Sequence, residues 1–74
     1  PKIALIGYGA MGKEIESIAK KENLLITDIF EIDSKISENK KYEFDVAIDF
    51  GYPEFVVENV EVLAKLGKRG LNVR

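Results

Sequence analysis

The stretch "KIALIGYGAMGKEIESIAK", residues 2–20, decides how the rest of the chain is read. Lys2 to Ile6 is almost continuously apolar, which suits a strand covered on both faces. Gly7, Gly9 and Gly12 follow within six positions, although each glycine inside a regular element costs roughly 0.5–1 kcal/mol relative to alanine. Beyond them Met11, Ile15, Ile18 and Ala19 recur at i, i+4, i+7 and i+8, one face of a helix expected to lie on the sheet. Glu16 and Lys20 form an i, i+4 pair on its polar side. A strand that feeds a helix through three glycines is either a tight turn or a place where a ligand must touch backbone.

Working outward, "KKEN" ends this helix, with Asn23 as a left-handed cap. "LLITDIF", residues 24–30, is a second strand, and Asp28 inside it points to an edge. The polar, lysine-rich run that follows reads as a loop, with one helical turn around Ile36. Its part 34–43 must return along the sheet past the first strand. Ten residues reach roughly 33 Å extended but only about 15 Å as a helix, so this part is mostly extended. "FDVAIDF", residues 44–50, is a third strand. Pro53 opens a second helix, with Glu54 at its positive end, and Gly67 closes it near Leu66. The tail "KRGLNVR" is a short fourth strand or loose.

This order predicts an α/β fold, a truncated Rossmann-like three-stranded parallel sheet with one helix on each face. With right-handed crossovers the first strand lies in the middle, flanked by the second and third. Residues 1–74 then form one partial dinucleotide-binding domain. On the second helix, Val56, Val57, Val60, Leu63 and Ala64 are expected to cover the sheet. Phe55, Val62 and Leu66 would remain exposed beside an open edge at strand 44–50. That exposure predicts a homo-oligomer through these residues or through the edge strand.

Composition bounds the chemistry. The 74 residues contain no cysteine and no histidine, with a net charge of −2. Disulfides, Cys- or His-based zinc sites, thiol nucleophiles and imidazole acid–base catalysis are excluded within these residues. The charge argues against general nucleic-acid or anionic-membrane binding. No run approaches the roughly 18 apolar residues of a membrane span, and the expected setting is cytoplasmic.

Gly7-Tyr8-Gly9-Ala10-Met11-Gly12 is G-x-G-x-x-G between a strand and a helix, the arrangement of a dinucleotide site. The first glycine makes the turn, the second admits a pyrophosphate, and the third lets helix and strand pack closely. Glu31, 19 residues after Gly12 at the end of the second strand, is the expected ribose ligand. Lys13 is expected to be solvated, and Asp49 to be a satisfied strand-end carboxylate. A plain structural turn without ligand affinity is the competing reading.

"KIALIGYGAMGKEIE" and "DVAIDFGYPEFVVENVEVLAKLGK" together resemble the N-terminal nucleotide domain of the 4-hydroxy-tetrahydrodipicolinate reductase (dihydrodipicolinate reductase) family. The resemblance covers Lys2 to Lys68. It implies an NAD(P)H-dependent reductase of lysine and diaminopimelate synthesis. Residues 7–12 would cradle the pyrophosphate, Glu31 would take the ribose, and Phe50 would border the cofactor. Gly51 departs from the Ser or Thr usual there, and "RGLNVR" departs from the family's apolar strand and Gly-Thr-Thr-Gly loop. The family's paired histidines, catalytic lysine region and substrate domain have no counterpart in these residues. The chain alone is therefore expected to bind its cofactor weakly and not to catalyse. An aspartate dehydrogenase-like first half and a ligand-free α/β assembly module are the alternatives.

Overall fold

A computed structural model describes residues 2–7, 9–31 and 34–72. β1 (Lys2–Ile6) leads to α1 (Gly9–Lys21), then β2 (Leu25–Phe30) and β3 (Val46–Asp49). A short 3-10 turn over Pro53–Phe55 runs into α2 (Val56–Lys65), and β4 (Arg69–Asn72) follows. The sheet has the order β2-β1-β3-β4, parallel throughout. The fold is the expected Rossmann-like α/β unit, with β1 flanked by β2 and β3 and a helix on each face.

Both helices end in the same way. Asn23 and Gly67 stand in the left-handed region at φ 60° and 71°. The next amide in each case reaches back, Leu24 N–H to the Ala19 carbonyl at 2.8 Å and Lys68 N–H to the Leu63 carbonyl at 2.9 Å. These are Schellman caps, which satisfy carbonyls that a helix end leaves unpaired. Each turns the chain directly into the strand that follows.

The fourth strand forms, and it changes the edge. β4 pairs with β3 along its length, so strand 44–50 is not an open edge. The sequence obscures this because all four β4 residues are exposed and its partner is selected through backbone groups. β2 is an edge, as Asp28 suggested. Its register slips between Ile3 and Ala4, so that Ile3 faces Ile26 while Ala4 faces Asp28. That irregularity turns Ile26 and Ile29 towards the α1 side, and Phe30 towards the other.

The inward stripes of both helices differ from those expected. On α1 the buried positions are Gly12 and Ala19, with Ile15 half-buried between them, while Met11 and Ile18 are exposed. On α2, Leu63 is buried and Val62 and Leu66 pack against the core, whereas Val57 and Val60 are exposed. Val62 and Leu66 are partly buried against the core, and β4 occupies the 44–50 edge expected to be open. The inward stripe of α2 includes half-buried Asn59, a polar residue that a hydrophobic count places outside.

The core is split by the sheet. On the α2 side Phe30, Phe44, Ile36 and Leu63 gather over Ala4, Ile6 and Ala47. Phe30 meets Tyr42 and Phe44 edge-on, with ring centroids 5.4 and 6.2 Å apart. The 34–43 connection contributes Ile36 and Tyr42 to this layer in non-helical backbone, without the helical turn expected at Ile36. On the α1 side Ile3, Leu5 and Ala19 are buried, and Ile15, Leu24, Ile26, Val46, Ile48 and Phe50 pack around them half-covered.

Candidate functional site

β1 ends between β2 and β3, at the point where successive connections leave the sheet in opposite directions. Such a switch point opens a crevice at the carboxyl ends of the strands. Here Gly7 N–H donates to the Phe30 carbonyl at 2.7 Å, and Phe50 N–H donates to the Ile6 carbonyl at 3.0 Å. The two bonds tie the three strand ends together, and a cleft of about 550 Å³ opens above them. That is within the size range of small-molecule sites, roughly 300–1,000 Å³.

Gly7 has φ +82°, and a Cβ there would lie 2.8 Å from the Gly51 Cα and 2.9 Å from its nitrogen. No side chain fits between those backbones. Gly9, at φ +39°, opens α1 with nothing within 4 Å of its Cβ position. The first amides of α1 therefore start at the cleft without side-chain cover from Gly9. Unpaired amides and the positive end of a helix dipole favour an anion at such a place. Gly12 is buried, as close helix–strand packing requires.

The expected site residues come together around this cleft. Gly7, Gly9, Met11, Glu31 and Phe50 all line it, and Ala10 lies in the first turn of α1. Tyr8 lies outside the described residues, as does Asp33. Glu31 is exposed at the end of β2, its backbone paired with Ser34 in an antiparallel bridge. Lys13 is exposed, on the helix surface.

Asp49 is 4 % exposed and fully engaged: its Oδ1 accepts the Gly51 N–H at 2.9 Å and its Oδ2 accepts from Asn59 Nδ2 at 3.0 Å. Its carboxylate fixes the turn after β3 to the second turn of α2. The far wall of the cleft comes from residues that sequence reasoning assigned elsewhere or passed over. Phe55, expected on an association surface, lines the cleft with its ring 4.4 Å below Lys35 Nζ. Lys35 also stands 4.0 Å from Glu58. Asn59 lines the same wall. The signal for Asn59 was present: a carboxylate buried at a strand end requires donors, and Asn59 offers an uncharged one in the next helix.

Among the described residues no group of three or more Cys, His, Asp or Glu side chains could hold a metal. No helix among them is long and apolar enough to cross a membrane.

A parallel sheet whose central strand turns through glycines into a helix, at the switch point, defines a Rossmann-like α/β unit. Comparison with known proteins refines that class. Residues 1–71 match the family model described as dihydrodipicolinate reductase, N-terminus. The chain belongs to that family. It is also 40 % identical over 65 residues to a 4-hydroxy-tetrahydrodipicolinate reductase of Christiangramia forsetii, covering 85 % of this chain and 26 % of the relative. The chain thus spans about a quarter of that relative's length.

Proposed function

We propose that this chain is the part of a dihydrodipicolinate reductase that holds the adenosine and pyrophosphate end of NADH or NADPH. Residues 1–74 serve as a partial dinucleotide-binding domain, in a cytoplasmic protein of lysine and diaminopimelate synthesis. The observation that carries the reading is the backbone contact of Gly7 with Gly51 beneath the open first turn of α1. It leaves a surface of peptide amides where a pyrophosphate can approach without meeting a Cβ. Residues 7–12 orient the phosphates, the Glu31 carboxylate accepts hydrogen bonds from ribose hydroxyls, and Phe50 borders the ligand. When bound, the cofactor supplies the hydride that reduces 4-hydroxy-tetrahydrodipicolinate. With no histidine in its sequence, this chain offers the cofactor binding groups and no imidazole for proton transfer.

Titration with NADH, followed through the backbone amides of residues 7–13, tests this. Contacts to only half the ligand give an expected affinity of roughly −4 to −6 kcal/mol, upper micromolar to millimolar. A carboxylate at Glu31 repels a 2′-phosphate, so NADH is preferred mildly over NADPH at low salt. Glu31→Ala should weaken NADH binding and erase that preference. Sub-micromolar affinity or turnover by the isolated chain would overturn the non-catalytic assignment. Unchanged affinities in Glu31→Ala would remove Glu31 as the ribose ligand.

A further inference from the structure

The Asp49–Asn59 contact decides more than the position of a helix. A carboxylate can only accept, so the Asn59 side-chain amide must turn its NH2 towards Asp49, and the 3.0 Å bond from Nδ2 to Oδ2 agrees with this. The ambiguity that usually attends an asparagine amide is thereby removed. Its carbonyl oxygen is directed away from Asp49. No described residue donates to that oxygen, and among the described residues no enclosed side-chain oxygen lacks a partner. The oxygen is therefore open rather than sealed in the protein, on a residue that lines the cleft.

Its surroundings restrict what it can meet. Ile6, Phe30, Ile36 and Phe55 line the same cleft. Lys35 Nζ, Glu31 and Tyr52 add polar groups at its margin. A flat ring suits the apolar walls, and an open carbonyl oxygen beside them selects a ligand donor. The ribose already has an acceptor in Glu31, at the end of β2. On the base itself, adenine carries one exocyclic donor group, the 6-amino group. A 6-oxo purine would set a carbonyl against a carbonyl.

Building on the dinucleotide-binding reading, we infer that Asn59 reads the base: its side-chain carbonyl oxygen accepts a hydrogen bond from the 6-amino group of adenine. Asp49 acts through Asn59 as a positioning residue that fixes the amide's orientation. The chain then discriminates 6-amino from 6-oxo purine dinucleotides.

The deciding experiment needs no mutation. NADH and reduced nicotinamide hypoxanthine dinucleotide, which differ only at the purine, are titrated in parallel against the unmodified chain. The hypoxanthine dinucleotide should bind about tenfold more weakly, the worth of one hydrogen bond replaced by an unmatched acceptor. Equal affinities would overturn the inference while leaving dinucleotide binding intact. Binding of neither at millimolar concentration would remove both. Asn59→Ala, folded by its amide spectrum, should bring the two ligands to the same affinity, and persistence of the difference would remove Asn59 as the reader. If this variant fails to fold, the comparison on the unmodified chain decides.

Discussion

The two faces of the sheet are built to different standards. On the α2 face, Phe44 is completely buried, three aromatic rings interlock, and the 34–43 connection lies over the strands as an additional layer. Long polar side chains bind that layer down. Lys68 Nζ donates to the Tyr42 carbonyl at 3.0 Å, the Tyr42 hydroxyl accepts the Ser37 N–H at 3.1 Å, and Lys65 pairs with Glu38 at 3.0 Å. On the α1 face a single helix packs through Ile15 and Ala19 over Ile3 and Leu5, with no aromatic layer beside it. Ile18 and Leu71 there are each 57 % exposed, and Ile48 is half-covered. Stability therefore resides mainly on the α2 face, which also forms the far wall of the cleft.

Phe44→Ala should break the comparison most severely. Removing a fully buried aromatic side chain costs about 3–5 kcal/mol. A chain of this length has roughly 4–11 kcal/mol in total. Denaturant unfolding should show a large loss or no folded baseline. A shift no larger than that of an α1-face substitution would refute the asymmetry. Ile18→Ser is the matching substitution on the other face and should change stability by no more than about 0.5 kcal/mol. A larger loss in the same assay would mean that something covers Ile18.

The smallest effect concerns the ties of the connection. Lys65 donates to Glu38, and that bond, then the carboxylate's charge, raises the lysine's pKa above its ordinary 10.5. A lysine whose folded pKa is raised adds stability that is complete below the unfolded value and lost as pH rises through the folded one. Lys65→Met should therefore lower the melting temperature slightly at neutral pH, and the difference should fade as pH rises through the raised folded pKa and the lysine loses its charge. The pair is exposed, so salt should also shrink the effect.

Local signals made much of the fold legible. Gly7, Asn23 and Gly67 each announce a positive φ, and the alternation of elements gave the order of the first three strands. The helix faces were harder because both inward stripes break the hydrophobic pattern for a reason. α1 turns Gly12 and Ala19 inward, leaving Met11 and Ile18 outside. α2 turns Asn59 inward to serve Asp49, which displaces Val57 and Val60 to solvent. The 3-10 turn over Pro53–Phe55 adds to this, since its tighter winding shifts the phase of any count begun at the proline. β4 is one of two readings of the tail for a different cause: nothing in Arg69–Asn72 is buried, and backbone pairing leaves no mark on side-chain composition. In the cleft, Glu31 and the glycines followed from spacing, while Asn59 required knowing that Asp49 is buried.

The backbone contact of Gly7 with Gly51 bears on how the glycine signature can be used. The two lie far apart in the sequence, yet a Cβ at Gly7 would fall 2.8 Å from the Gly51 Cα, while a Cβ at Gly51 would meet the Asp49 carboxylate at 3.3 Å and not Gly7. The six-residue signature is thus half of a two-part fitting, completed by the end of a different strand. Transplanted alone into another α/β scaffold, it would meet whatever residue ends the neighbouring strand there. A working graft has to carry the backbone turn of residues 49–51, with the Asp49 carboxylate that holds it, or the borrowed loop will not close.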